Sequence, residues 1–455
     1  MTTELLSPAG TLKSMRYAFA YGADAVYAGQ PRYSLRVRNN EFNKIENLAM
    51  AVDEAHSQGK KFYLASNLSP HNDKVRTYIR DLEPVIAMKP DALIMSDPGL
   101  IMMVRETWPD QPVHLSVQAN AVNYATVKFW AKQGIERIIL SRELSIDEIE
   151  DIRNECPEVE LEVFVHGALC IAYSGRCLLS GYMTHRDSNQ GACTNSCRWE
   201  YNTHEAKETD TGDLIAVDSG KQLNTSALTW SPEAETQTTN GHDEVAPVLL
   251  QEKSRPGEYM PAYEDEHGTY IMNSKDLRAV QHVERLVKMG VHSLKIEGRT
   301  KSHYYVARTA QVYRRAIDAA QSGQAFDMSL MRELEHLANR GYTEGFYRRH
   351  VPSEYQNYEK GVSDNGAQQF VGEAIQYDAA NGWLTLEVKN KFHKGDALEL
   401  ITPQGNVPFL LTDMENRKGQ SLDVAPGSGH VVRIPIPDVG LNENGGYAML
   451  MRHIP

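Results

Sequence analysis

Four of the chain's five cysteines, Cys170, Cys177, Cys193 and Cys197, fall within 28 residues at the spacing Cys-x₆-Cys-x₁₅-Cys-x₃-Cys. Thiolates gathered this closely, in a chain whose first residues carry no secretion signal, hold metal more often than they form disulfides. A metal or iron–sulfur centre is therefore the leading reading. Cys193 and Cys197 share one face if their stretch is helical, and Gly167, Gly175, Gly181 and Gly191 allow the segment to fold tightly round a ligand. Four thiolates suit a closed tetrahedral zinc or a [4Fe-4S] cluster alike, and the spacing does not choose between them. The fifth, Cys156, precedes Pro157 at an expected helix end and reads as a passive thiol.

Other chemistry is less well supplied. There is no His-Glu-x-x-His, no Gly-x-Ser-x-Gly elbow, and no Walker or dinucleotide glycine fingerprint. A cysteine nucleophile would need a metal-free thiolate with a histidine base, and His166 beside Cys170 is the one pair close in sequence.

The elements that would position these residues repeat a single unit. Short apolar runs occur at 4–7, 24–28, 61–66, 92–96, 113–117, 137–140, 161–165 and 293–296, and helical periodicity fills segments such as 12–21, 45–58, 75–88 and 122–133. Gly or Pro stops at Gly22, Gly59, Pro90, Pro112, Gly134 and Gly290 precede the next strand. Eight such strands predict a (β/α)₈ TIM-like barrel spanning 1–202 and 263–350, with a doubly wound open sheet as the alternative. Residues 203–262, rich in Thr, Glu, Asp, Gly and Ser, read as a loose polar insertion on the seventh βα loop, and 265–273 as a short strand leading back to the barrel. After a linker-like stretch, 367–455 alternates short strands with turn signals such as Asn381-Gly382 and Lys394-Gly395-Asp396, which predicts a small C-terminal all-β, barrel-like domain.

In such a barrel the loops beyond the strand C-termini build the active site, so the cysteines after strand seven belong at its mouth. The strand ends also offer Ser7, Gln30, Asn67, Asp97, Gln118, Asn120, Arg142, Glu143, His166, Glu297 and Arg299. Any one of them alone would more often cap a helix than touch a ligand. Lys295 and Glu297 alternate with Leu294 and Ile296 and so face one way, into the mouth or into a helix-facing ion pair. Arg32, Arg36 and Arg38, after strand two, are candidates for anion contact, against the bland reading of a solvated surface run.

Composition bounds the class. With 41% apolar and 24% charged residues the chain reads as a soluble globular protein. Its net charge of −13 argues against non-specific coating of nucleic acid, though not against a local basic patch. No apolar run approaches the ~20 residues needed to span a bilayer. The expected location is the cytoplasm, with no membrane partner.

The segment Glu162-Val-Phe-Val-His-Gly-Ala-Leu-Cys170-Ile-Ala-Tyr-Ser-Gly175-Arg-Cys177-Leu-Leu-Ser180 closely resembles the signature of the collagenase-like, "unassigned peptidase" family. Glu4-Leu-Leu-Ser-Pro-Ala-Gly10, Gly22-Ala-Asp-Ala-Val-Tyr-Ala-Gly29, Ser116-Val-Gln-Ala-Asn120 and Leu294-Lys-Ile-Glu-Gly-Arg299 are similar to its other hallmarks. The resemblance runs nearly end to end, failing only in 203–262, and is strongest to a branch that makes 5-hydroxyuridine at the tRNA wobble position. It implies a [4Fe-4S] cluster on Cys170, Cys177, Cys193 and Cys197 in preference to zinc, dependence on prephenate rather than dioxygen, and the tRNA anticodon stem-loop as partner. An electron-donor protein would be a further partner.

On that implication, arginine forks would meet the two carboxylates of prephenate: Arg142 and Arg299 first, then Lys275 and the arginines of 32–38, Arg36 and Arg38 among them. Tyr27, Tyr33 and Tyr173 are candidate platforms for an unstacked uracil, and His166 and Glu297 are candidate catalytic groups. Two rival readings stand beside this one. They are a collagenase-like peptidase and a non-catalytic RNA-binding protein with a structural zinc.

Overall fold

A computed structural model describes residues 2–35, 40–169, 276–335, 337, 341–348 and 368–454, together with the backbone of six strands between 201 and 269. The expected barrel strands are β1 (Glu4–Pro8), β2 (Ala25–Gly29), β3 (Lys61–Ser66), β4 (Ala92–Met95), β5 (Val113–Leu115), β6 (Arg137–Ile139), β7 (Glu160–Ala168) and β8 (Ser293–Ile296). Each pairs in parallel with the next, and β8 closes the ring on β1 through Leu5↔Leu294. The sheet is therefore a closed eight-stranded parallel barrel, and the open-sheet alternative falls.

Helices follow β1 to β6, at Leu12–Ala20, Ile45–Ser57, Tyr78–Ile86, Pro98–Thr107, Tyr124–Lys132 and Ile146–Glu155, and His303–Gln321 follows β8. Their starts are written locally. Thr11, Asp97, Asn123 and Ser302 accept a hydrogen bond from a first-turn backbone N–H, and Ser145 with Glu148 forms a reciprocal capping box, each cap contributing about 1 kcal/mol. The single helix expected over 75–88 is instead two, Asn72–Val75 and Tyr78–Ile86. Among the described residues no helix is long and apolar enough to cross a membrane.

One irregularity matters for the site. In the β7–β8 pairing Lys295 stands opposite Phe164 but Ile296 stands opposite His166, so Val165 is the extra residue of a bulge. Beyond it, β7 carries a short antiparallel strand, Asp276–Arg278, with Arg278 opposite His166. This strand, rather than 265–273, returns the chain to the barrel. The expected segment holds two-residue strands, Glu264–Asp265 and Gly268–Thr269, which fold back on each other as a hairpin. Within the polar insertion the structure adds an antiparallel sheet, ordered Tyr259–Ala262, Val248–Glu252, Tyr201–Glu208 and Leu214–Val217.

The C-terminal domain is all-β. Its main antiparallel sheet runs in the order 405–410, 397–402, 449–453, 368–378, 383–388, 431–435 and 415–416. Leu384, Leu386, Leu398, Leu400, Val432 and Leu450 fill its own core. It docks on the barrel's helical flank, where the Tyr21 hydroxyl donates to the carbonyls of Ile401 and Tyr447 and Gln311 Nε2 donates to that of Thr402.

Candidate functional site

Charge fills this barrel from one pole to the other. At the N-terminal pole Arg137, the first residue of β6, reaches Glu4 on β1 at 2.5 Å and Glu160 on β7 at 2.8 Å. One layer higher Glu162, fully buried, accepts from Lys295 at 2.8 Å and lies 3.3 Å from Arg137. The Lys295 ammonium also lies over the ring of Tyr27 at 4.3 Å and that of Phe164 at 5.4 Å. Burial pushes this lysine below its ordinary range, while the Glu162 carboxylate beside it opposes the shift. Of the two directions open to Lys295 from alternation, the inward one holds.

Above that layer the mouth residues converge. Arg142, just past β6, lays its guanidinium on the Phe164 ring at 3.8 Å and donates to Glu297, just past β8, at 3.1 Å. Arg142 makes no other side-chain hydrogen bond among the described residues, so most of its donor fork is left for a ligand. Arg299 Nη1 donates to Ser34 Oγ at 2.6 Å, and its guanidinium stands 5.7 Å from the Tyr27 ring. The Tyr27 hydroxyl donates to the Ile296 carbonyl at 3.0 Å. Burial pushes that phenol well up, and it lies near enough to Glu297, Arg299 and Arg142 to feel all three charges. Arg142, Arg299 and Glu297 thus gather round Tyr27, two cations and one carboxylate over an aromatic floor. Such an arrangement suits an anionic small molecule, its carboxylates met by guanidinium forks.

Backbone geometry holds Glu297 in place. Gly167 has φ +106°, and a Cβ there would come within 2.6 Å of the Glu297 carbonyl oxygen and 2.8 Å of the Glu297 Cβ. Tyr305 donates to the same carbonyl at 2.8 Å, and the Glu297 N–H donates to the His166 carbonyl at 2.8 Å. Only a glycine lets β7 and the β8 loop approach so closely.

The remaining strand-end residues divide. Asn67 Nδ2 donates to Ser116 Oγ at 3.4 Å, Ser96 donates to the Asn67 carbonyl at 3.1 Å, and Ser141 donates to Asn120 Oδ1 at 2.8 Å and also bonds Glu143. Asp97 caps the helix Pro98–Thr107, the bland role. The hydroxyl of Ser7 and the amide oxygen of Gln30 are buried with no partner among the described residues, which marks both for a polar ligand.

Three expectations are corrected. The Val165 bulge turns the His166 ring into the layer between barrel and helices, ringed by Tyr305, Tyr313 and Tyr342 with centroids at 5.5 to 5.8 Å, and not toward Arg142 and Glu297. Burial holds its imidazole down to about 3, so it is neutral. Tyr27 and Tyr33 are no stacking platforms, because both rings are buried, Tyr33 bonded through its hydroxyl to Asp81 and Thr77. Phe164 and Ser34 were not anticipated; the signal for Phe164 was its alternation with Glu162 in the run Leu-Glu-Val-Phe-Val. Cys170, Cys177, Cys193, Cys197, Lys275, Arg36, Arg38 and Tyr173 lie outside the described residues. β7 ends at the mouth, and Cys170 follows two residues beyond its last, Ala168. Cys156 is buried at a helix end, its thiol pushed up chiefly by burial, as a passive thiol should be.

Comparison with known proteins gives matches over nearly the whole chain. The family model described as "Peptidase family U32" matches residues 10–357, and that of the "Peptidase family U32 C-terminal domain" matches 367–452. The chain is 63% identical over 451 residues to "tRNA hydroxylation protein P" of Escherichia coli, covering 99% of this chain and 96% of that one. It is 61% identical over 455 residues to the protein of the same name from Haemophilus influenzae, covering 99% and 96%. A "Collagenase" of Porphyromonas gingivalis is 26% identical over 449 residues, covering 96% and 95%.

Proposed function

We propose that this chain, which belongs to peptidase family U32, is a tRNA hydroxylase that makes 5-hydroxyuridine at the wobble position, with prephenate rather than dioxygen as co-substrate. The observation that carries this reading is identity above 60%, over almost the full length of both chains, to two proteins named for tRNA hydroxylation. The mouth chemistry supports it. Prephenate is a dicarboxylate, and Arg142 and Arg299 stand where two carboxylates would be gripped, with Lys275, Arg36 and Arg38 as further cations of the sequence. Arg142 is held by Glu297 at 3.1 Å, so a bound carboxylate would take over that fork and release Glu297 into the pocket, where it could accept a proton.

The donor set of Cys170, Cys177, Cys193 and Cys197 fits a [4Fe-4S] cluster, four thiolates being its usual ligands, and the exit of β7 at the mouth would bring the segment to the co-substrate. Such a cluster, when bound, supplies electron transfer or positioning, which would in turn call for an electron-donor protein. The anticodon loop is single-stranded, so its uridine can leave the stack and enter the mouth. The cytoplasm, where tRNA and prephenate meet, is the expected setting.

The peptidase reading has no constellation to carry it. His166, the histidine nearest to Cys170 in sequence, is turned into the helix layer. The test is mass spectrometry of tRNA nucleosides from cells lacking the gene, complemented with wild type or with each Cys→Ser variant. The expected result is loss of one oxygen's mass from the wobble nucleoside in the deletion and in the variants at 170, 177, 193 and 197, and no loss in Cys156→Ser. Unchanged nucleosides in the deletion would overturn the function; full activity of a colourless, zinc-loaded protein would overturn the cluster.

A further inference from the structure

The mouth described above is lined by groups suited to a small anion and a base, but it offers no grip on the rest of a nucleic acid. One sector of the rim does. Beside the loops that follow β2 and β3, Arg32, Arg76 and Arg80 are exposed and Lys74 is half-buried. All four precede or open the helix Tyr78–Ile86, whose first turn is at the mouth because helices run back from the C-terminal ends of their strands.

The sector is built. Asp81 accepts from Arg32 at 2.7 Å, from Tyr33 at 2.8 Å, from Thr77 at 3.0 Å and from Arg80 at 3.2 Å, so one carboxylate pins two guanidinium groups from different loops. These bonds hold the Asp81 carboxyl below its ordinary range against the opposing effect of burial. Arg32 adopts φ +65°, a left-handed conformation uncommon for residues other than glycine, which fixes the direction in which it leaves the β2 loop. Lys74 and Arg76 have no side-chain hydrogen bond or ion pair among the described residues. Burial pushes the Lys74 ammonium down, and the like charge of Arg32 pushes it further. Four cations thus face Asp73 and Asp81, the only carboxylates of the stretch 71–82. Like charges brought together at a cost, on a chain of net charge −13, are what a polyanion would relieve.

We propose that Arg32, Lys74, Arg76 and Arg80 form a phosphate track on the β2–β3 sector of the rim, where the sugar–phosphate backbone of an RNA crosses as its base enters the mouth. This rests on the tRNA reading and deepens it by stating where the nucleic acid lies. The track reads charge and spacing and not sequence, since the groups are point cations and forks at the surface. The wobble base must then enter from the side of β2 and β3, opposite the exit of β7.

The experiment measures binding of whole, end-labelled tRNA transcript with uridine at the wobble position, by fluorescence anisotropy across a KCl series. Lys74→Glu/Arg76→Glu/Arg80→Glu should weaken binding about ten-fold or more and lower the slope of log K against log salt by about two, close to one unit per lost phosphate contact. Lys74→Gln/Arg76→Gln touches no printed bond of the Asp81 anchor and should lower the slope by about one to two, so a misfolded triple variant does not decide the matter. Lys89→Glu/Lys132→Glu/Lys288→Glu makes the same charge change at exposed positions near the opposite pole and should keep the wild-type slope. A wild-type slope in the Gln pair, or an equal loss in the opposite-pole triple, overturns the track while leaving tRNA hydroxylation standing. A wild-type protein that binds no tRNA overturns both.

Discussion

Removing Glu162 should destabilise the barrel far more than removing Lys295, although the two share one bond. Glu162 is fully buried and carries two cations, Lys295 at 2.8 Å and Arg137 at 3.3 Å. Glu162→Gln leaves the Lys295 ammonium buried with rings on its flanks and no hydrogen-bonded carboxylate among the described residues, whereas Arg137 keeps Glu4 and Glu160. Stranding a buried charge in this way costs about 3–5 kcal/mol. Lys295→Met, in contrast, leaves Glu162 with Arg137, and the methionine keeps most of the buried stem, so the expected cost is about 1–2 kcal/mol. Glu162→Gln/Lys295→Met strands no charge, because the amide is neutral and Arg137 retains two carboxylates. The double variant should therefore be more stable than Glu162→Gln alone, with a coupling of about 2–3 kcal/mol. Urea unfolding followed by circular dichroism, with the slope checked for constancy, gives all four corners of the cycle. Equal costs for the two single changes, or costs that simply add, would show that the pair is not an isolated buried couple and that the reasoning from charge compensation is wrong.

Other outcomes are equally direct. Arg142→Ala should raise KM for prephenate by about ten-fold or more, and Arg142→Lys should restore only part of it, because the two-pronged contact and the stacking on Phe164 are lost; an unchanged KM would remove Arg142 from the site. His166 is held at about 3, against about 6.5 in the unfolded chain, so between these values the unfolded state binds one more proton. Its contribution is present above pH 6.5 and is lost as pH falls toward 3, at about 1.4 kcal/mol per pH unit. His166→Phe should flatten the acid limb of Tm against pH, and an unaltered limb would refute the assignment of that limb to His166. Gly167→Ala forces a methyl into the Glu297 backbone at φ +106° and should cost about 2 kcal/mol or more in thermal stability together with activity; a neutral result would mean that β7 and the β8 loop need not approach so closely.

The barrel could be read from the chain because each of its units is written locally. All eight strands are short apolar runs, and the caps and stops between them are Ser, Thr, Asp, Asn, Gly or Pro where the geometry requires them. The position of Arg142, Arg299 and Glu297 followed from the same logic, since a residue just past a parallel strand must be at the mouth. What could not be read was which way a ring or an acid would be used once there. Tyr27 looked like an open platform, but its hydroxyl found the Ile296 carbonyl and its faces found Lys295 and Arg299. Tyr33 looked equally open, but Asp81 and Thr77 took its hydroxyl. Glu162, in an apolar run, carried its own signal: an acid alternating with Phe164 inside a strand must face a cation or be neutral.

His166 shows why pattern alone stops short of chemistry. Alternation along β7 places Glu162, Phe164 and His166 on one face, and the first two do point into the barrel, one to Lys295 and the other under Arg142. A strict strand would add an imidazole to Arg142 and Glu297 and make a plausible acid–base group. One unpaired residue, Val165, reverses the face for everything after it, because the side-chain period is two and a slip of one inverts inward and outward. The bulge is held by partners far away in sequence: Tyr313 donates to the Val165 carbonyl at 2.7 Å, and Glu297 donates through its N–H to that of His166. Neither bond leaves a trace in the nine residues of β7, so no reading of that strand by itself could have found it. The displacement has a consequence for the mechanism. With His166 facing the helices, the described part of the mouth contains two guanidinium groups, a carboxylate and buried neutral hydroxyl and amide groups, but no imidazole, so any proton moved there must pass through Glu297 or through the anion it binds.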